Sequence, residues 1–429
     1  MKRSLSVLFV TGFVLLMTSP LMAGGITNKQ NFSAEYLRTF SRNATIDSVD
    51  AVAFNPAGVM QMENGIYGNL GVFYALKDYS NSIGGVEHKS DEPSIVPGLF
   101  GLYKKDKWAA FFAFTIPAGG GKVEYNSGNA TTFGYGSLLM DGVNYLLTLP
   151  PIYGGMGLLP ADYYDTISSQ SLKAESIYYG YTVGGAYKIN DVMSVSLGIR
   201  FIDASKEAQA SITITPSPLS PGYGMPDQTF NIDYEETADG VGGFIGLSIT
   251  PEGPFNIGVR IETKTKLDFK TAVSIDDTGM LSNGAEQRED LPGLIGIGIG
   301  YRYSPNFKLD TSFTYYAEKG ATREAARFND VGAGYDLAMA LEYVFNAKLK
   351  GSLGCMITNT TISPDDMLPE AAELDATTIA GGLAYEYKPG LILNFSLMNT
   401  FYKSERTSTG IDLNKKIAGL GLGIQYKFK

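Results

Sequence analysis

From Ile66 to the C-terminus, apolar side chains alternate with small or polar ones in segment after segment. In 255–262, Phe255, Ile257, Val259 and Ile261 share one face, and Asn256, Gly258, Arg260 and Glu262 share the other. This is the two-residue period of a β-strand. The same period runs through 295–301, 307–315, 335–343, 391–397 and 420–428, and no helical stripe competes with it. Tight polar turns fall at 104–107, 190–191, 251–254, 304–306, 346–347 and 388–390. Longer connections lie near 81–94, 120–172, 212–229, 277–288, 319–326, 362–373 and 403–413. Six short turns and seven long loops join fourteen strands, and an even count with short connections at one end is the pattern of a transmembrane barrel. The expected fold is all-β: a 14-stranded antiparallel transmembrane β-barrel over residues 66–429.

Composition decides which way the apolar stripe faces. The opposite face is mostly Gly, Ser and Ala, with 51 glycines in 429 residues. A soluble sandwich would carry Lys and Glu on its outer faces. Small residues pointing inward leave a lumen, and closure satisfies every backbone N–H and C=O, which hydrocarbon cannot do. Strands approaching the short turns close on an aromatic followed by a base, as in Tyr103-Lys104, Tyr187-Lys188, Tyr301-Arg302, Tyr387-Lys388 and Tyr426-Lys427. That placement suits a membrane interface.

At the N-terminus, Lys2 and Arg3 precede an apolar run from Leu5 to Met17, with small-residue cleavage expected after Ala23. Residues 1–23 read as a secretory signal. The long uncharged stretch 142–161 contains Pro150, Pro151 and Pro160, so it is no transmembrane helix. A formal charge of −10 argues against nucleic acid as a partner. His88 and Cys355 are the only His and Cys, so neither a metal site of imidazole and thiolate nor an internal disulfide is expected, and no cofactor is implied.

Residues 24–65 lack the alternation. Phe32, Tyr36 and Phe40 recur at four-residue spacing, which predicts a short helix, and the aromatic content points to a plug rather than a disordered leader. The segment also carries Arg38, Arg42 and the run Phe54, Asn55, Pro56 and Ala57. The signal, the Asn55-Pro56-Ala57 motif just before the first strand, the strand count and the aromatic last strand together resemble the FadL family of outer-membrane transporters of long-chain fatty acids and other hydrophobic compounds. The resemblance spans the whole mature chain; one departure is that Lys429 follows Phe428. It implies a monomeric barrel in the outer membrane of a Gram-negative bacterium, an N-terminal hatch inside the lumen, and a kinked third strand that opens sideways.

Two local features bear on mechanism independently. The third strand breaks at Pro117, Ala118, Gly119, Gly120 and Gly121 before resuming at Lys122. Proline cannot donate to a ladder and glycines pack nothing, so either pairing is interrupted there or a plain loop begins. The loop 120–172 has no Lys or Arg between Lys122 and Lys173, while Leu138, Leu139, Leu146, Leu147, Ile152, Tyr153, Met156 and Leu158 crowd its middle. Such a patch marks a capture surface for apolar ligand or a lid packed over the barrel mouth. For a carboxylate headgroup, Arg200 and Lys206 on strand five and Arg260 on strand seven are the candidate cations; the alternative is that they pair with Asp203, Glu262 and Asp310 as a lumen network. Burying a sixteen-carbon chain stabilises by about 12 kcal/mol, at about 0.8 kcal/mol per methylene. Release, not capture, is therefore the difficulty, and a route that never returns the ligand to water avoids it. The expected function is passive uptake of fatty acids, by loop capture and lateral release into membrane lipid. The alternatives are uptake of aromatic hydrocarbons by the same route, a general porin, a hydrolase needing His88 as base, or an adhesin.

Overall fold

The computed structural model describes Gln30 and residues 32–153, 155–218, 224–324 and 332–428. The expected signal cleavage after Ala23 lies outside the described residues. Fourteen wall strands run in chain order: β1 Gly65–Ile83, β2 Ser94–Lys105, β3 Trp108–Tyr125, β4 Tyr164–Lys188, β5 Met193–Pro216, β6 Gln228–Ile249, β7 Phe255–Glu262, β8 Leu294–Ser304, β9 Phe307–Tyr316, β10 Gly334–Asn346, β11 Leu349–Asn359, β12 Ala376–Lys388, β13 Leu391–Tyr402 and β14 Asp412–Phe428. Each pairs antiparallel with its neighbours, and β1 closes on β14 from Ile66 opposite Phe428 to Ser82 opposite Asp412.

Alternation sets the two faces. On β10, Leu337, Met339 and Leu341 are exposed on the outside while Asp336, Ala338 and Ala340 are buried inside. The same holds on β13, where Leu393, Phe395 and Leu397 face out. An apolar band this continuous cannot face water without a large transfer penalty.

The lumen is filled by the N-terminal residues. Helix α1 (Ala34–Leu37) is capped by Ser33, whose side chain accepts from the Tyr36 N–H. After α2 (Ala51–Phe54), a 3-10 turn runs over Pro56–Gln61. The four-residue spacing of Phe32, Tyr36 and Phe40 is not one continuous helix: α1 stops at Leu37, and Phe40 takes a positive φ of 52°. The three rings still meet, because Phe54 packs 5.6 Å from Phe32 and stacks 5.2 Å from Tyr36, with Phe40 edge-on to Tyr36. Inward glycines make room for this plug: a Cβ on Gly98 would strike the Phe32 carbonyl, and one on Gly258 the Asn43 carbonyl.

Two elements depart from the sequence expectation. The middle of the 120–172 connection is a helix, α3 (Ala130–Thr148), with Asn129 and Thr132 capping reciprocally. Strand seven ends at Glu262 rather than continuing to about residue 276. Residues 263–267 dip inward over Gly240 and Gly242, and the chain rejoins β6 as a short strand, Asp268–Asp276.

Candidate ligand cavity and wall opening

β3 is continuous in the wall but bulged. Thr115, Ala118 and Gly121 pair with Gly180, Tyr178 and Ser176 of β4, so six residue steps on β3 cover four on β4. One extra residue falls at 116–117 and one at 119–120, and being two they restore the inward parity beyond the bulge. Gly119 and Gly121 have φ of 91° and 70°, conformations glycine adopts without strain. A Cβ on Gly119 would also strike the Ser176 carbonyl.

On its other side β3 loses its neighbour. The β2–β3 ladder runs from Lys105 opposite Trp108 only to Leu99 opposite Phe114. Residues 94–98 of β2 keep their pairing with β1 but have no ladder partner on β3. Pro97 and Pro117 each remove a donor from the two strands. Above the gap, the Glu124 N–H donates to Ser90 Oγ at 2.9 Å.

Behind the gap lies a cavity of about 160 Å³. Its floor is Tyr36 and Phe40 of the plug, and Gly119, Gly120 and Gly121 form part of its side. It is also lined by Ile95, Ile116 and Ile177, whose neighbours along each strand face inward and which therefore point outward. Ile95 is 64% exposed. One continuous space thus touches both faces of the wall.

Two lysines line this cavity. Lys77 Nζ donates to the carbonyls of Gly120 and Lys122, each at 2.8 Å. Lys415 lies directly across the β1–β14 ladder from Tyr79, and its Nζ is 4.5 Å from the centre of that ring, with Lys77 Nζ 5.5 Å from the same ring. The lining carboxylate is Asp336, which accepts from Tyr316 Oη at 2.7 Å and Thr358 Oγ1 at 2.6 Å.

The cations expected to meet a headgroup sit elsewhere. Arg200 and Arg260 both pair with buried Glu262, and Arg260 also donates to the Ala53 and Phe54 carbonyls, at 3.0 Å for Phe54. Lys206 pairs with Glu289 and lies 3.7 Å from the centre of the Phe269 ring. None of the three lines the cavity. In the expected lumen network Glu262 takes part, whereas Asp203 is exposed on the outer face opposite Asp239 and Asp310 pairs with Lys308.

The plug residues are anchored to one another and to the wall. Asp50, fully buried, accepts from Ser33 Oγ at 2.7 Å and from the Arg42 guanidinium. Arg38 reaches β10 and β11, donating to Glu342 at 2.6 Å and to Ser352 Oγ at 2.8 Å. Asn55 donates to the Leu247 carbonyl at 2.9 Å, Pro56 opens the buried 3-10 turn, and the Ala57 carbonyl accepts from Ser194 Oγ at 2.9 Å.

The capture-loop residues divide by face. Tyr135, Leu139, Val143 and Leu147 follow helical spacing on α3 and pack with Leu158 against Tyr163, Tyr164, Ile212 and Ile214. Leu146, Ile152 and Met156 are exposed, Ile152 at 83%, while Leu138 is half-buried. Tyr153 closes the short 3-10 turn Pro151–Tyr153. Under α3 a smaller apolar cleft of about 50 Å³ is lined by Tyr135, Leu139, Leu172, Ile212 and Phe230.

Together these features define a closed fourteen-strand barrel, plugged by its own N-terminal residues and interrupted between its second and third strands. Solved structures share that fold. A Pseudomonas aeruginosa FadL homologue aligns with 95% of this chain and 100% of its own at 14% identity and a TM-score of 0.66. The Pseudomonas putida toluene transporter TodX covers 94% and 100% at 13% identity and 0.65, and the Ralstonia pickettii toluene transporter TbuX 95% and 100% at 14% and 0.60. No family model and no curated protein matches the sequence. At these identities the likeness establishes the fold, which is the one the resemblance to the FadL family implies.

Proposed function

We propose that this chain is an outer-membrane channel for passive uptake of hydrophobic molecules, and that its substrates carry a carboxylate on an apolar tail, as long-chain fatty acids do. The carrying observation is the single cavity bounded by the plug, by the β3 bulge and by outward-facing Ile95, Ile116 and Ile177. In this reading the exposed Leu146, Ile152 and Met156 take ligand from the surface. The cavity receives the headgroup, and the tail leaves sideways between β2 and β3 into lipid. The tail then never re-enters water, so the transfer energy gained on capture is not lost on release. The plug holds straight passage shut. The names of the structural neighbours, a FadL homologue and two toluene transporters, support uptake of hydrophobic compounds.

Charge favours a carboxylate: Lys77 and Lys415 outnumber the lining Asp336. Cavity size favours a second reading, monoaromatic hydrocarbons, since 160 Å³ is close to the roughly 150 Å³ apolar cavity that takes up benzene. Competition between laurate and toluene for the purified protein decides between them. The test of the route is deletion of Gly119 and Gly120. Removing two residues returns the stretch from Thr115 to Gly121 to the four steps it spans on β4, so β3 can run straight beside β2, and the variant should assemble in the membrane yet lose laurate uptake. Unchanged uptake by an assembled variant contradicts the lateral route.

A further inference from the structure

The carbonyls of Gly120 and Lys122 lie in the stretch of β3 that the bulge has taken from the β2 ladder. A buried carbonyl needs a donor, and here the donor is a cation from two strands away: Lys77, only 5% exposed, reaches both at 2.8 Å. Ser94 Oγ adds a bond to the Gly120 carbonyl at 3.2 Å. The same ammonium lines the ligand cavity, with Lys415 close by across the Tyr79 ring.

We propose that Lys77 is a ligand-sensitive latch on the β3 bulge: a carboxylate entering the cavity draws its ammonium off the Gly120 and Lys122 carbonyls, and the freed bulge widens the gap beside β2. The inference rests on the uptake reading above. A carbonyl offers the ammonium a dipole, whereas a carboxylate offers a full charge. In a lumen shielded from water an ion pair is the stronger of the two. Asp336, the lining carboxylate, is turned to Tyr316 Oη and Thr358 Oγ1. A neutral ligand of equal length, such as an alcohol, offers a dipole no stronger than the carbonyls it would replace. It fills the cavity and leaves the latch closed, because a ligand shifts an equilibrium only by its differential affinity for the two states. The device therefore couples opening to headgroup chemistry, and Lys77 acts on the wall as a positioning residue.

The test is amide hydrogen exchange over residues 117–123 in the full-length protein in lipid nanodiscs, with laurate and with dodecanol at concentrations where equilibrium dialysis of the tritiated compounds shows both bound. Laurate should raise exchange there by about tenfold, the scale set by loss of a charge-assisted hydrogen bond, and dodecanol should leave it within twofold. Lys77→Met should exchange fast without ligand and show no laurate response. Bound laurate with no change at 117–123, an equal response to dodecanol, or a laurate response that persists in Lys77→Met overturns the latch while leaving the uptake reading intact. Absence of binding by either compound overturns both. The wild-type arms alone can refute the latch, so a failure of Lys77→Met to assemble does not protect it.

Discussion

Among the described residues, the wall is interrupted between β2 and β3 and between β6 and β7, and the two places are built in opposite ways. Between β2 and β3 the ladder stops at Leu99 opposite Phe114, and the space behind it is a cavity. Between β6 and β7 it stops at Phe244 opposite Glu262 and resumes at Thr237 opposite Lys270. There the dipping residues 263–267 and the residues before β8 move inward together, still joined by the Thr265–Leu291 bridge and by the Glu289 N–H to the Leu267 carbonyl at 2.9 Å. Leu267, Phe269 and Leu291 then pack with Ala118, Tyr178, Ile202, Ala204 and Ala238 into a solid cluster. A missing ladder is therefore not in itself an opening; what lies behind it decides. The first gap is backed by space and a movable cation, the second by core.

The contrast can be broken most sharply at Gly121. Valine there must adopt a positive φ and would collide with Ser94, so Gly121→Val should reduce laurate uptake by about a hundredfold if the bulge geometry is the gate; the check is initial uptake rate per folded barrel. The plug's anchor comes next. Arg38→Ala leaves Glu342 with Lys350 alone, at 3.2 Å, so the loss should fall below the roughly 3–5 kcal/mol of an orphaned buried charge, and thermal unfolding in detergent should register it together with raised ion conductance. At the sealed gap, Leu267→Ala should destabilise by about 2–5 kcal/mol yet change laurate uptake less than about twofold, since uptake there is not routed through the wall. A large uptake defect from Leu267→Ala with a folded barrel would dissolve the distinction.

Smaller effects sharpen the picture outside the lumen. Replacing exposed Leu146, Ile152 and Met156 by serine should raise the half-saturating laurate concentration several-fold without lowering the maximal rate, because capture and not passage is weakened. Near the long-loop end, burial beside Arg323 and Glu373 pushes the Glu318 carboxyl up to about 7. Burial is the larger cause, with Glu373 adding to it and Arg323 opposing. A raised folded-state pKa gives stability present below the ordinary carboxylate range and lost as pH rises through about 7. Protection factors over 318–324, corrected for the intrinsic exchange rate at each pH, should therefore fall between pH 5 and 8 in the native protein and lose that dependence in Glu318→Gln.

Much of this was legible in the sequence because a strand's period is two and a barrel repeats it. The six short turns and the apolar outer stripe need no long-range information, and the glycine-rich inner face announces that something must fill the lumen. The Pro-Ala-Gly-Gly-Gly run marked the bulge, though not that exactly two residues would be extra. Helix α3 was missed because its prolines and its lack of Lys and Arg after Lys122 make 120–172 read as one loop; Gly134, Gly136 and Gly142 lower helix propensity there, although Tyr135, Leu139, Val143 and Leu147 carried the helical spacing. The inward turn of strand seven was hidden because its ladder partners change while its local pattern does not. Lys77 and Lys415 were missed for a topological reason: they come from the first and last strands and meet only when β1 closes on β14. Inward parity alone would have flagged each, but not the pair. Arg200, Lys206 and Arg260 carried the right charge on the right face; Arg260 pairs with Glu262 two residues along its own strand, whereas Arg200 and Lys206 reach Glu262 and Glu289 from another strand.

The lateral route is tested most directly by where a ligand's tail lies. Laurate bearing a diazirine at its far end, activated by light on the protein in its native membrane and mapped by mass spectrometry, should mark Ile95, Ile116 and Ile177 well above other outward residues such as Leu397, and deletion of Gly119 and Gly120 should bring that labelling down to the Leu397 level. Labelling that instead runs past Phe54 and Met60 toward the short-turn end, with Ile95 no higher than Leu397, would contradict the account.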